Sequence, residues 1–276
     1  MKTNAFAVAV VGMLLLAQPA WSAIEFDQSV TPDVIFGSGN ANGSFTTDRR
    51  NDYQDDTGVE LGLRAKLRHN ASGLPENTFN SNGDGTYSFA AGSAPFQSAS
   101  TAVWSFEWSI NSDYDGTTAW NLSDLTYLLS IDTNPSAGTS FLSFDPINGL
   151  NLATGAVQWD HAIGDNSTGN GGGSKIPNSP SNTTTNAAYA TAIGSNNVAQ
   201  NSWKPHWFIG GFDPTVDGTY DFQLQAFGEG GEVASTSMQV IVGAGGAVPE
   251  PVSMIVWTLL GTVGLSVGRR RYRLTA

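Results

Sequence analysis

The chain has 276 residues, 40% of them hydrophobic, which is enough to bury a core within one large domain or two small ones. Charged residues make up 13%, against roughly 25% in an average soluble protein, and Gly, Ser, Thr and Asn replace them, which favours strands over helices. The net charge is −12 and cysteine is absent, so nucleic acid is not an expected partner, and disulfides, thiol catalysis and Cys-ligated metals are excluded.

Residues 1–22 have the three parts of a secretory signal peptide. Lys2 supplies the positive start, residues 5–17 are an unbroken apolar run, and Ala-Trp-Ser at 20–22 gives the small-x-small pattern that signal peptidase cleaves. The apolar run is shorter than the roughly 20 residues of a membrane-spanning helix, so cleavage before Ala23 is favoured over a retained N-terminal anchor. The sequence therefore predicts an exported protein.

Residues 23–242 carry the two-residue alternation of apolar and polar side chains that is typical of half-buried antiparallel strands. The clearest strand segments are 59–67, 103–110, 219–226 and 237–242. Turn-forming pairs such as Asn-Gly and Asp-Gly separate the strands. This pattern predicts one all-β domain, an antiparallel β-sandwich of the jelly-roll or Ig-like type, with its polar strand faces in solvent.

Three segments of the domain depart from this pattern. Residues 122–129 fit a short helix and a strand equally well. Residues 165–185 are rich in Gly, Asn, Ser, Thr and Pro and are predicted to be a mobile surface loop. Residues 243–247 form a Gly-rich spacer between the β domain and the C-terminal segment.

The C-terminal segment, residues 248–276, also has three parts. Pro249-Glu250-Pro251 is followed by an apolar stretch over residues 252–268 and then by a basic cluster, Arg269, Arg270, Arg271 and Arg273. As a helix, the apolar stretch would be about 25 Å long, which is marginal for a bilayer of about 30 Å. The arginines would remain on the cytoplasmic side of the membrane. The sequence therefore predicts a C-terminal transmembrane helix with an arginine stop signal.

This three-part tail resembles the PEP-CTERM sorting signal of Gram-negative bacteria. The resemblance implies that Pro249, Glu250 and Pro251 are recognised by exosortase, a membrane transpeptidase-like enzyme, and that the protein is associated with exopolysaccharide. It covers only the tail, and Val252 stands where the family typically has Ser or Ala. The alternative is an ordinary tail anchor. We expect membrane anchoring that is at least transient, followed by a cell-surface or extracellular location.

Metal and cofactor sites find little support in the sequence. Asn80–Gly85 partly matches the opening of a calcium loop, but Ala91 stands at the position of the bidentate Glu, and a hairpin turn explains the segment better. Asp213–Gly218 is likewise better explained as a β-turn. The three histidines, His69, His161 and His206, lack metal-binding spacing. We predict no cofactor and no metal, with calcium as the alternative.

Carbohydrate chemistry is the main alternative to a non-enzymatic envelope protein. Glu60 and Glu107 lie on the polar faces of two predicted strands, and a glycosidase needs two carboxylates on either side of the bond. Solvated face residues are the commoner explanation, so no catalytic residue is assigned. Trp203 and Trp207 are candidates for stacking on sugar rings, with core packing as the alternative. A secreted carbohydrate-active enzyme or a glycan-binding module is the second hypothesis.

Overall fold

The computed structural model of the chain describes residues 24–49, 58–136, 138–148, 150–151, 155–156, 160–176 and 187–245. The predicted signal peptide and the predicted sorting segment lie outside these residues, together with Pro249, Glu250, Pro251 and the arginines Arg269, Arg270, Arg271 and Arg273. Within the described part of the chain, none of the helices has the length and apolar character needed to cross a bilayer.

The described residues are mainly strands. The strands are β1 (Glu25–Gln28), β2 (Phe45–Arg49), β3 (Glu60–Leu67), β4 (Thr86–Phe89), β5 (Trp104–Asn111), β6 (Thr126–Asp132), β7 (Phe141–Phe144), β8 (Leu150–Asn151), β9 (Gly155–Ala156), β10 (His161–Gly164), β11 (Ser174–Ile176), β12 (Val198–Trp203), β13 (Gly218–Gly228) and β14 (Gly231–Val242). The helices in the same residues are α1 (Ala187–Ile193) and the 3-10 helices Leu122–Asp124 and Pro205–Trp207.

Two sheets contain twelve of these strands. The seven-stranded sheet has the order β1-β2-β3-β5-β12-β10-β11 and is antiparallel throughout. The five-stranded sheet has the order β4-β14-β13-β6-β7, with β4 parallel to β14, and β8 and β9 form a separate pair. The prediction of an all-β protein is confirmed.

The main hydrophobic core lies between the two sheets, as the alternation predicts. Phe106 of β5 meets Phe222 of β13 with ring centroids 4.8 Å apart, and the Trp104 ring contacts the same Phe222 edge-on at 6.3 Å. The apolar positions of β3 are paired with those of β5, for example Leu63 with Trp108. All of these side chains are buried because alternate positions of each strand point to the same face.

The outer face of the seven-stranded sheet is covered, which differs from the prediction that polar strand faces lie in solvent. Residues 29–44, here called the cover segment, run across this face. They form a second hydrophobic cluster with side chains of the sheet: Val30, Val34, Ile35, Phe36, Phe45, Ala162 and Val198. The Ile35 amide donates a hydrogen bond of 2.8 Å to the side-chain oxygen of Gln200 in β12. Polar residues of β3 and β5 are therefore buried between the cover segment and the sheet.

The structure describes two of the irregular segments, one of them in part. In residues 122–129 both alternatives occur, since the 3-10 helix Leu122–Asp124 is followed by β6. Part of the predicted loop 165–185 packs against the sheet, because its backbone forms hydrogen bonds with the cover segment and with β10. The Gly173 amide donates to the Ile35 carbonyl at 3.0 Å, and β11 then pairs with β10.

Candidate functional site

A cleft opens where the cover segment, β10, β11 and the end of β12 meet. Its volume is about 540 Å³, within the range of about 300–1,000 Å³ that is typical of small-ligand sites. We call it the cationic cleft. Its lining residues are Phe36, Gly37, Asn40, Arg68, Asp160, His161, Ala162, Lys175, Ile176, Asn201, Ser202 and Trp207.

Three basic side chains give the cleft its charge. Arg68 follows β3 and Lys175 lies in β11, and both line the cleft, while Lys204 lies beside Trp207 at its rim. Among the described residues, no carboxylate lies within salt-bridge distance of any of the three. Burial lowers the pKa of Lys204, and repulsion from Arg68 lowers it further. The cluster is therefore a local excess of positive charge on a strongly acidic protein.

Two histidines near this cluster respond to its charge. Burial lowers the pKa of His206, and the charges of Lys204 and His69 lower it further. Burial also lowers the pKa of His69, which is near Lys204 and Arg68. A bound anion would relieve the repulsion among these groups, because an opposite charge favours the charged form of a base.

Trp207 provides the exposed aromatic surface of the cleft. It ends the 3-10 helix Pro205–Trp207, and 46% of its surface remains accessible. The Lys204 ammonium nitrogen lies 5.9 Å from the centroid of the indole ring. The ring of His206 packs edge-on against the indole at a centroid distance of 6.0 Å. An indole held in this way can stack on a flat apolar ligand surface.

Trp203, the other predicted stacking residue, is buried completely in the core between the sheets. Its ring lies 5.1 Å from that of Trp108 and 5.1 Å from that of Phe208, and its indole nitrogen donates to the Asp160 carbonyl at 3.1 Å. The prediction of glycan stacking is therefore wrong for Trp203, because a buried ring offers no face to a ligand. The alternative interpretation, core packing, is correct for this residue.

The amide side chains of the cleft hold its shape. Asn40 donates to the Phe36 carbonyl at 2.7 Å and accepts a hydrogen bond from the Lys66 ammonium. Asn201 donates to the Asp160 carbonyl and accepts from the Ser202 amide. Because these amides are already paired within the protein, recognition of a ligand depends on the charged groups and on the exposed indole.

Glu60 and Glu107 are not a catalytic pair in this fold. Both side chains are completely buried, and each carboxylate pairs with an arginine: Glu60 with Arg49 at 2.6 Å and Glu107 with Arg64 at 2.5 Å. The register places Arg64 opposite Glu107, so the two glutamates are four positions apart along the sheet, or about 13 Å. Neither carboxylate can reach a sugar in the cleft.

The calcium-loop and histidine candidates of the sequence have other roles in the fold. No group of three His, Asp or Glu side chains able to hold a metal occurs within the described part of the chain. The Asn80–Gly85 segment forms a turn in which the Asp84 carboxylate accepts from the Thr86 amide at 3.0 Å. His161 is buried with its Nε2 3.0 Å from the Tyr189 hydroxyl, and that hydroxyl donates to the Ile147 carbonyl at 2.7 Å.

Comparisons with known proteins add no relative. No family model matches the chain, and neither a curated protein nor a solved structure is significantly similar to it. The candidate site therefore depends on its own geometry.

Sequence reasoning identified Trp207 but missed the cations around it. Arg68 and Lys175 are 107 residues apart in the sequence, and the strand order of the sheet brings them to one cleft. The available signal was the scarcity of basic residues. Seven occur between residues 23 and 247, so a basic residue outside the predicted strands, such as Lys175, was a candidate for a binding site.

Proposed function

We propose that this chain is an exported cell-envelope or extracellular-matrix protein, sorted through its C-terminal Pro249-Glu250-Pro251 segment, and that it is non-enzymatic. One observation carries the proposal: a proline-bounded motif, a short apolar stretch and an arginine cluster occur in that order at the end of a chain that starts with an export signal. Exosortase and the membrane are the partners that the resemblance implies, and exopolysaccharide is the material with which the protein is associated.

The β domain is the cargo in this proposal. Six residues separate Val242, the end of β14, from Pro249, so the last strand of the β domain is close in sequence to the proposed sorting segment. We also propose that the β domain is a jelly-roll or Ig-like sandwich, and that the chain has an N-terminal signal helix and a C-terminal transmembrane helix. The cell surface or the extracellular matrix is the final location, after an anchored stage in the membrane.

A glycan-binding module is the second candidate function, and the cationic cleft favours it. The exposed indole of Trp207 in a cleft of about 540 Å³ supports binding of a sugar. The burial of Glu60 and Glu107 removes the pair on which a glycosidase hypothesis depended. The two functions are compatible, because a sorted matrix protein can bind the polysaccharide around it.

Mass spectrometry of the protein from its native cells tests the sorting proposal. We expect a mature chain that begins at Ala23 and lacks the arginine cluster Arg269, Arg270, Arg271 and Arg273. The double variant Pro249→Ala/Pro251→Ala should keep the arginine cluster, because the recognition motif is lost. The matched control, Val248→Ala/Val252→Ala, changes the residues on either side of the motif and should be processed normally. A wild-type protein that retains its leader, or retains the complete tail, contradicts the proposal.

A further inference from the structure

The charge of the cationic cleft is opposite to that of the rest of the domain. Between residues 23 and 247 the sequence has 23 acidic and seven basic residues. Three of those seven, Arg68, Lys175 and Lys204, lie at this one cleft without a carboxylate partner among the described residues. Unpaired cations gathered against the charge of the whole protein form a local site for an anion.

The remaining cations in the described part of this sheet each have a carboxylate within salt-bridge distance, which confines the unpaired cations to the cleft. Arg64 pairs with Glu107 at 2.5 Å, and Lys66 lies 4.0 Å from the same carboxylate. Arg49 pairs with Glu60. A ligand that carries negative charge therefore meets unpaired positive charge at the cleft and not elsewhere on the described part of this face.

Other groups in the cleft select against a simple polyanion. Trp207 offers a flat apolar surface that is 46% exposed, and an inorganic anion would leave that surface unused. Asp160 also lines the cleft, and its negative charge disfavours a ligand that is negative throughout. A ligand with an apolar ring face and a few acidic substituents matches the indole, the cations and the acidic residue of the lining.

We propose that the cationic cleft binds an acidic saccharide, a short stretch of sugar rings that bear carboxylate or sulfate groups. One ring stacks on the indole of Trp207, and Arg68 and Lys175 pair with the acidic substituents. This inference builds on the glycan association in the proposed function and adds the chemical class of the glycan and the residues that bind it.

Calorimetric titration of the protein purified from its native cells tests the proposal. The probes are trisaccharides of galacturonic acid and of mannuronic acid and a sulfated chondroitin tetrasaccharide, each paired with its neutral counterpart, which is carboxyl-reduced or desulfated. Polyglutamate serves as an anion without sugar rings. We expect at least one acidic probe to bind about tenfold more tightly than its neutral counterpart and than polyglutamate. Binding should weaken as salt is added.

Two variants with matched controls assign the binding to the cleft. Trp207→Ala should weaken binding by about tenfold, whereas Phe96→Ala, which truncates an aromatic ring that is 86% exposed outside the cleft, should leave it within about twofold. Lys175→Gln should weaken binding by about threefold or more. Gln223→Glu changes the net charge equally on the outer face of the other sheet and should leave binding within about twofold.

Three results overturn the proposal. In the first, no acidic probe binds. In the second, polyglutamate binds as tightly as the acidic saccharides. In the third, the Trp207→Ala and Phe96→Ala variants bind the acidic saccharide with the same affinity. Lys175 is exposed, so its substitution tests the cleft even where removal of the indole disturbs the fold. Sorting and binding fail independently, because an intact arginine tail contradicts the proposed sorting and leaves the titration result unchanged.

Discussion

Arg64 and Glu107 form an ion pair that has no contact with solvent. The guanidinium Nε lies 2.5 Å from the carboxylate, and both side chains are completely buried. Phe45 and Phe79 lie on the guanidinium at 4.1 and 4.0 Å from their ring centroids, and Arg64 also donates to the Gly43 carbonyl at 2.5 Å. Burial lowers the pKa of Arg64, and the charge of Glu107 opposes that shift. This one side chain therefore connects β3, β5 and the cover segment.

Removal of one partner should destabilise the domain strongly. For Glu107→Ala we expect a loss of about 3–5 kcal/mol in the free energy of unfolding, because Arg64 is left as an uncompensated charge in the interior. Urea denaturation followed by circular dichroism measures the change. The double variant Arg64→Met/Glu107→Leu removes both charges of the pair and should recover part of the loss. A Glu107→Ala protein as stable as the wild type would show that the pair does not contribute to stability.

The cover segment is the element that sequence patterns do not reveal. It contains residues 29–44 and has no strand periodicity. It buries the outer face of the seven-stranded sheet in a second hydrophobic cluster. Gly62 of β3 allows this close approach. A Cβ at Gly62 would lie 2.8 Å from Cγ1 of Val30 and 3.2 Å from the Phe45 ring. The absence of a side chain at this position determines how closely the cover segment packs.

Gly62→Ala should loosen the cover segment while the sheet remains intact. We expect a loss of about 1–3 kcal/mol, because the added methyl group overpacks the contact with Val30. Hydrogen exchange of the Ile35 amide, which donates to Gln200, should become faster. Gly210→Ala is the control, since a Cβ at Gly210 has no neighbour within 4 Å. Equal stability and equal exchange in the two variants would contradict this role for Gly62.

The strands could be predicted because alternation is a local property of the sequence. Segments 59–67, 103–110, 219–226 and 237–242 correspond to β3, β5, β13 and β14. Burial of the polar faces could not be predicted in this way. The pattern separates the two faces of a strand, but whether another segment covers the polar face depends on contacts between residues far apart in sequence. The cleft has the same origin, since only the folded sheet brings Arg68 to Lys175.

At the scale of the whole molecule, the two sheets share one core and should unfold together. Leu224 of β13 is buried in the five-stranded sheet, whereas Trp104, Trp108 and Trp203 belong to the seven-stranded sheet. For Leu224→Ala we expect a loss of about 2–5 kcal/mol, from lost burial and the cavity that remains. Tryptophan fluorescence and far-ultraviolet circular dichroism should give the same urea midpoint, lowered equally.

The adjacent exposed residue provides the control for this experiment. Gln223 points to the outer face of the same strand, so Gln223→Ala should change the free energy of unfolding by less than about 0.5 kcal/mol. Two separate midpoints, with fluorescence unchanged in Leu224→Ala, would show that the sheets unfold independently.

The hydrogen bonds that close the sandwich join the two ends of the domain and so determine when it can fold. Asp48 accepts from the Ser235 amide at 2.8 Å, and Thr236 donates to the Thr46 carbonyl at 3.1 Å, across 187 and 190 residues of chain. During synthesis, β2 cannot acquire these partners until β14 has left the ribosome. Folds dominated by such distant contacts form slowly. The domain can therefore complete its fold only after almost all of residues 24–242 have been synthesised.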